Sequence, residues 1–326
     1  RMCFALAKKG YGKVAPNPMV GCVVLDRVGN LISKGYHKKY GENHAERDAL
    51  LKLKNNEAEG GTLYVNLEPC SHFGKTPPCV DLIIKHKLKR VVIGMKDVNP
   101  KVDGITKLKN AGIEVDFVLE EEARFLNRMF IKTMTEKMPY VVLKTASTMD
   151  GKIASKTGSS KWITSETARK EVYRMRKEFD CIMTSSNTVI ADNPSMQHNF
   201  KCILDKDLRT PKDAKIYQQG EIYIASKENT PLKDKQLDIE AVLKNLYSKG
   251  IYSVFVECGG TLAGSMLKDN LIDEVYQFIA PKILNDNNGL SCFNGADIKE
   301  ISQAKNLKIY ELKQIEKDIL IKAIVL

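Results

Sequence analysis

The stretch His44-Ala45-Glu46, followed by Pro69-Cys70 and then Pro78-Cys79, decides how the chain is read. It supplies one imidazole and two thiols, the donor set that suits zinc. A zinc ion held by three side chains keeps its fourth position for water, whose pKa falls toward ~7 there. Glu46 is then placed to carry that water's proton to a departing amine. The competing reading is a set of unconnected core residues, and the flanking sequence counts against it. Asn43 is suited to cap a helix that starts with His44, so imidazole and carboxylate share its first turn. Leu63-Tyr64-Val65-Asn66-Leu67 alternates as a strand and delivers Cys70 just past its end. Cys79 opens a second helix through Ile84, whose dipole favours thiolate.

Working outward, Met2 to Gly10 reads as a helix that begins abruptly, so residues before Arg1 are expected. Pro16 to Gly21 is a turn, Cys22-Val23-Val24-Leu25 a buried strand, and Leu31 to His37 its hairpin partner. Arg90 to Gly94 and Ile113 to Val118 are further strands. Alternating strands and helices predict a three-layer α/β domain with a partly parallel sheet. Ligands gather beyond the carboxyl ends of such strands, where Cys70 and Asp97-Val98-Asn99-Pro100 fall. Glu120 to Lys137 is expected as one amphipathic helix, with Ala123, Leu126, Phe130 and Met134 on its stripe. Pro139 stops it, giving domains 1–138 and 139–326.

The second half restarts with the strand Tyr140 to Lys144 and a turn at Asp150-Gly151. A helix capped by Thr164 or Ser165 follows, then strands at Cys181 to Met183, Lys201 to Leu204, Ile222 to Ile224 and Ile251 to Glu257. Gly259-Gly260-Thr261-Leu262-Ala263-Gly264 opens a helix directly after the last of these. Glycines there either let backbone N–H groups meet a phosphate or serve a tight helix–strand contact. The spacing is not the G-x-G-x-x-G fingerprint, which argues against a standard dinucleotide half.

At 326 residues, 43% hydrophobic and 28% charged, the chain has room for two ordinary globular cores. No apolar run is long enough to span a bilayer. Eight scattered cysteines point to a reducing cytoplasm rather than a disulfide framework. The net charge of +11 is spread along the chain without a dense basic run, so anionic small substrates explain it as well as nucleic acid does.

H-x-E followed by P-C and a second Cys is the signature of nucleobase deaminases, which generally keep two residues between the cysteines. Here Ser71 to Pro78 intervene, and the string PCSHFGKTPPC closely resembles the deaminase half of the bifunctional riboflavin-biosynthesis deaminase/reductase family. The likeness extends through PNPMVGCVV, GYH and DVNP, and in the second half through LKTASTMDGKIA, SKWIT, TVIADNP and VECGGTLAG. It implies one zinc per chain on His44, Cys70 and Cys79, with Glu46 as proton shuttle. Asn17, His37, His72, Lys75, Asp97 and Asn99 would line that substrate pocket.

The family's second half folds like dihydrofolate reductase and uses NADPH. The implied cofactor contacts are Ala146, Trp162, Thr188, Asp192 and Gly259, Gly260, Thr261, Leu262, Ala263, Gly264 and Ser265. Lys144, Ser160, Arg176, Met196 and Glu257 would meet the reductase substrate, although a lone Trp is more commonly a core residue. Asn199 stands where an Arg is usual in the family, and His198 or Lys201 is a candidate substitute for its charge. The loop after Asn99-Pro100 is also about two residues short.

The expectation is therefore a cytoplasmic, homo-oligomeric enzyme acting on a phosphorylated pyrimidine, with no nucleic-acid or membrane partner. It would deaminate 2,5-diamino-6-ribosylamino-4(3H)-pyrimidinone 5′-phosphate and then reduce its ribosyl group. The rival is an RNA-editing deaminase whose basic second half binds nucleic acid, which needs basic and aromatic residues interleaved on one face. A zinc-stabilised structural protein, the third option, leaves Glu46 unexplained.

Overall fold

Short runs of β-branched residues between polar turns become the strands of the first unit, Arg1–Lys137. The computed structural model describes residues 1–326 apart from Asn55, Lys75, Ala296 and Asp297. In this unit β1 (Gly21–Leu25), β2 (Leu31–Tyr36), β3 (Thr62–Leu67), β4 (Arg90–Met95) and β5 (Glu114–Phe117) form a sheet of order β2-β1-β3-β4-β5. β1 runs antiparallel to β2 and β3, whereas β3, β4 and β5 are parallel. The helices are α1 (Met2–Ala7), α2 (Ala45–Leu50), α3 (Cys79–Lys85), α4 (Gly104–Asn110), α5 (Glu120–Leu126) and α6 (Arg128–Glu136). The two-residue period of a strand splits the side chains between faces. Cys22, Val24, Leu63, Val65 and Ile93 pack with Ala49 of α2 and Ile83 of α3, while Val23 joins Cys3 and Leu6 of α1 on the other face.

Two local expectations are corrected. Asn43 is not the cap of α2: His44 itself holds the N-cap position with extended backbone, and the Asn43 carbonyl accepts the His37 Nδ1–H at 3.0 Å. The helix over 120–137 is not continuous, because Asn127 interrupts it between α5 and α6. The Asn127 side chain brackets the backbone of Met19, accepting its N–H at 2.8 Å and donating to its carbonyl at 3.1 Å. An amide that serves a distant loop does not show in helical periodicity.

The second unit, Met138–Leu326, is built on an eight-stranded sheet. Its elements in chain order are β6 (Tyr140–Thr148), β7 (Lys152–Ala154), α7 (Glu166–Arg176), β8 (Cys181–Ser185), α8 (Ser186–Asp192), β9 (Phe200–Leu204) and β10 (Glu221–Ala225). There follow β11 (Leu232–Lys233), β12 (Gln236–Leu237), α9 (Ile239–Ser248), β13 (Ser253–Glu257), α10 (Gly260–Lys268), β14 (Glu274–Ala280), β15 (Leu290–Ser291), β16 (Leu307–Ile315) and β17 (Asp318–Val325). The sheet order is β10-β9-β8-β13-β6-β14-β17-β16, parallel from β10 to β14 and closed by an antiparallel hairpin. Ser165 caps α7, its hydroxyl accepting the Ala168 N–H at 3.2 Å. The mixed α/β character expected for both halves is what the chain adopts.

Candidate active sites

In the first unit the N-terminus of α2, the exit of β3 and the first residue of α3 converge. His44 Nδ1 lies 3.4 Å from Cys70 Sγ and 3.6 Å from Cys79 Sγ. The three donor atoms all fall within 4.8 Å of one another. Nitrogen at ~2.1 Å and sulfur at ~2.3 Å from one tetrahedral ion would be about 3.6 Å apart, so the donor set fits zinc in both chemistry and spacing. The Cys79 backbone N–H also points at Cys70 Sγ, at 3.3 Å. A hydrogen bond from the Cys79 thiol, then the neighbouring His44, pulls the Cys70 thiol well down, while Cys79, as donor, is pushed up. Glu46 is buried at 3% exposure. Burial, reinforced by the adjacent Cys70, pushes its carboxyl up to about 7 against the pull of His44.

Around this centre His37 stands edge-on to His44, ring centroids 5.4 Å apart. Because His37 Nδ1 donates to the Asn43 carbonyl, its Nε2 is the acceptor for the Asn17 side-chain amide at 3.1 Å. Burial holds His37 below the ordinary imidazole range, so it stays neutral. In the insert, His72 Nδ1 and Thr76 Oγ1 are buried without a hydrogen-bond partner among the described residues. Orphaned polar atoms of this kind are rare and mark places where a polar ligand fits. Asp97 is pushed up to about 6, chiefly by burial, and lies close enough to His72 and Cys70 to feel both. Its carboxylate accepts the Asn99 N–H at 2.8 Å. Lys75 lies outside the described residues. Sequence reasoning overlooked Thr76 and Glu68, a buried carboxylate beside the Pro69-Cys70 pair.

The second unit carries a cleft of about 1150 Å³ beyond the carboxyl ends of its parallel strands. Glu257 closes β13 beside Lys144 of β6. It takes Arg176 Nε and Nη2 at 2.5 and 3.0 Å, with Lys144 Nζ 3.7 Å away. Burial lowers Lys144, and Arg176 reinforces that against the pull of Glu257. Burial would raise Glu257, but the two cations outweigh it and hold the carboxyl low. Ala146, Ser160, Thr188, Asp192 and Met196 line the same cleft. Trp162 lines it too and is 63% exposed, with the Arg169 guanidinium 4.2 Å from its ring, so it is no core residue.

The glycine turn divides its tasks. Gly259, Thr261, Leu262 and Ser265 line the cleft, and a Cβ on Gly259 would meet nothing within 4 Å. Gly260 and Gly264 serve close packing instead, since a Cβ there would lie 2.0 Å from the Ser291 carbonyl or 1.8 Å from that of Asn294. Ala263 is buried in the core. The close-contact reading thus holds for Gly260 and Gly264, while Gly259 faces the open cleft.

Neither candidate substitute at 199 reaches the cleft. Lys201 is 1% exposed, its ammonium donating to the Ile216 and Gln219 carbonyls. The two ring nitrogens of His198 face the Phe200 and Phe179 carbonyls at 2.8 and 2.9 Å. Cations the sequence reading missed do line it, among them Arg209 and Lys215. Arg209 sits on a turn after β9 built by Asp205, whose carboxylate accepts the Arg209 and Thr210 N–H groups at 2.9 and 2.8 Å. Its Nη2 donates to Asn187 Oδ1 at 2.7 Å. The legible signal was the turn-rich Asp205-Lys206-Asp207 directly past a strand.

Residues 1–95 match the cytidine and deoxycytidylate deaminase zinc-binding region, and residues 139–321 match the RibD C-terminal domain. The riboflavin biosynthesis protein RibD of Aquifex aeolicus is 40% identical, the match covering 98% of this chain and 96% of the relative. RibD of Actinobacillus pleuropneumoniae is 38% identical over 100% of this chain and 94% of its own length. Among solved structures, a diaminohydroxyphosphoribosylaminopyrimidine deaminase/5-amino-6-(5-phosphoribosylamino)uracil reductase from Thermotoga maritima superposes with a TM-score of 0.87 at 36% identity, covering 100% of this chain and 97% of that one. Acinetobacter baumannii RibD superposes at 0.86, again at 36% identity and with the same coverage.

Proposed function

The chain belongs to the RibD family of riboflavin-biosynthesis proteins, and from that membership we propose which of its residues carry the two reactions. It is a bifunctional enzyme, a deaminase in its first half and a reductase in its second. The match of the second half to a reductase family displaces the nucleic-acid module of the RNA-editing alternative. The substrate of the first half is 2,5-diamino-6-ribosylamino-4(3H)-pyrimidinone 5′-phosphate, and that of the second is its deaminated product. Eight free cysteines, with no disulfide among the described residues, favour a cytoplasmic location. No helix among the described residues is long and apolar enough to cross a membrane.

The convergence of His44, Cys70 and Cys79 on one point carries this reading, with buried Glu46 beside it. Those three side chains would hold zinc, which when bound supplies a Lewis acid and lowers the pKa of water. Buried Glu46 would take a proton from the attacking water and return it to the leaving amine. Asn17, neutral His37 and the unpaired His72 Nδ1 offer the directional contacts a diaminopyrimidinone ring needs. In the second half NADPH would supply the hydride. Gly259, Thr261, Leu262, Ser265, Ala146, Trp162, Thr188 and Asp192 would hold it, and Arg209 offers a cation at the rim. Lys144, lodged against Glu257, is the proton-bearing group next to the reacting sugar, and Ser160, Arg176 and Met196 shape its place.

The test is zinc content together with NADPH oxidation in the presence of the diaminopyrimidine substrate, in wild type and Glu46→Gln. Glu46→Gln should keep zinc and lose deamination by about 10²–10⁴. The same variant, given deaminated intermediate, should reduce it at the wild-type rate. Retained deamination in Glu46→Gln sinks the assignment.

A further inference from the structure

Glu68 stands between β3 and Cys70, almost fully buried at 3% exposure, yet it forms no ion pair among the described residues. Its carboxylate is instead spent on three backbone N–H groups across the pocket. Oε2 takes Asp97 N–H at 3.1 Å, and Oε1 takes those of Gly104 and Ile105 at 2.8 and 3.0 Å. On the other side of Cys70, Ser71 Oγ accepts the Asp103 N–H at 2.7 Å and the Ser71 carbonyl accepts Lys107 Nζ at 2.6 Å. The chain segment carrying Asp97 and Asn99 is thus tied down by residues flanking a proposed metal donor. The contact is also sterically tight: a Cβ on Gly104 would lie 2.1 Å from the Pro69 carbonyl oxygen.

We infer that Glu68 is a positioning residue of the deaminase, clamping the 97–105 segment to the strand that delivers Cys70 so that Asp97 and Asn99 are held at the pocket rim. This deepens the deaminase reading and rests on it. A carboxylate suits the task because all three of its partners are donors and it offers only acceptors. The metal donors have ties of their own, Cys79 N–H to Cys70 Sγ and Val80 N–H to the Cys70 carbonyl at 3.3 Å each. Loss of Glu68 should therefore loosen substrate recognition and spare the metal. It also explains how a short loop after Pro100 keeps its place: Glu68 and Ser71, just past the neighbouring parallel strand β3, hold it.

Glu68→Gln is the direct test, since one accepting oxygen becomes an amide NH2 that must face a backbone N–H donor whichever way the side chain turns. In the zinc-loaded full chain, the deaminase KM for the diaminopyrimidine ribosyl phosphate should rise about ten-fold with kcat nearly unchanged, the signature of lost uniform binding. Zinc stoichiometry and reductase kinetics should stay at wild-type values. Gly104→Ala, which pushes the same contact apart sterically, should give the same split. The double variant should fall short of the product of the two effects because both act on one contact. If Glu68→Gln fails to fold, Gly104→Ala decides by the same measure. A wild-type KM in either folded variant, or a fall in kcat that follows zinc loss, overturns the inference. An inactive wild type would instead overturn the deaminase reading beneath it.

Discussion

Replacing Glu257 by Gln tests how the reductase cleft is held together. Three charges meet there with side chains only 11–16% exposed, and among the described residues Glu257 is the sole anion between Arg176 and Lys144. The substitution preserves shape but leaves two buried cations facing each other. Removing one partner of a buried pair costs about 3–5 kcal/mol. The low end applies, because Lys144 is already depressed and can shed its proton. At about 2–4 °C per kcal/mol for a unit of this size, the second unit should melt roughly 6–12 °C lower at pH 7. The pH dependence has a definite sign. A lysine whose folded pKa lies below its unfolded value binds fewer protons folded than unfolded, so stability rises with pH up to the unfolded value. Without Glu257 to oppose it, that depression deepens, and the deficit should shrink between pH 7 and about pH 10. Calorimetry of wild type and variant at both ends of that range is the assay. A shift corresponding to less than about 1 kcal/mol, or a deficit that grows with pH, would refute the account of a desolvated triad.

Cys70→Ser should lose stoichiometric zinc by elemental analysis and lower the melting of the first unit alone. The loss should stay below the roughly 10–16 kcal/mol of small structural sites, because this scaffold has its own core. Arg209→Gln should raise the KM for NADPH about ten-fold and leave that for NADH alone, as expected for one lost charge-assisted bond to the 2′-phosphate. Equal effects on both nucleotides would place Arg209 elsewhere. Lys201→Met should strand the Ile216 and Gln219 carbonyls and cost about 2–4 kcal/mol, while the reductase KM stays unchanged below the melting range. A rise in KM would return Lys201 to the substrate.

The candidate site residues were legible because each stands at a place local sequence can mark. Cys70 follows an alternating strand, Cys79 opens a helix behind two prolines, and Gly259 sits at a strand-to-helix turn. Hydrophobic periodicity likewise exposed the α/β alternation, since it records which face of an element is buried. What the sequence did not show are contacts between segments far apart along the chain. Asn127 breaks a helix to serve Met19, Lys201 turns inward to cap two carbonyls, and the Arg176 guanidinium is claimed by Glu257. The division of the glycine turn into a cleft-facing Gly259 and packed Gly260 and Gly264 depends on Ser291 and Asn294, which no local pattern brings near. Glu68 shows the difference most plainly. Beside Pro69-Cys70 it reads as one more polar residue, and only the fold brings it three N–H donors from across the pocket, because hydrogen-bond partners are set by tertiary proximity and not by spacing.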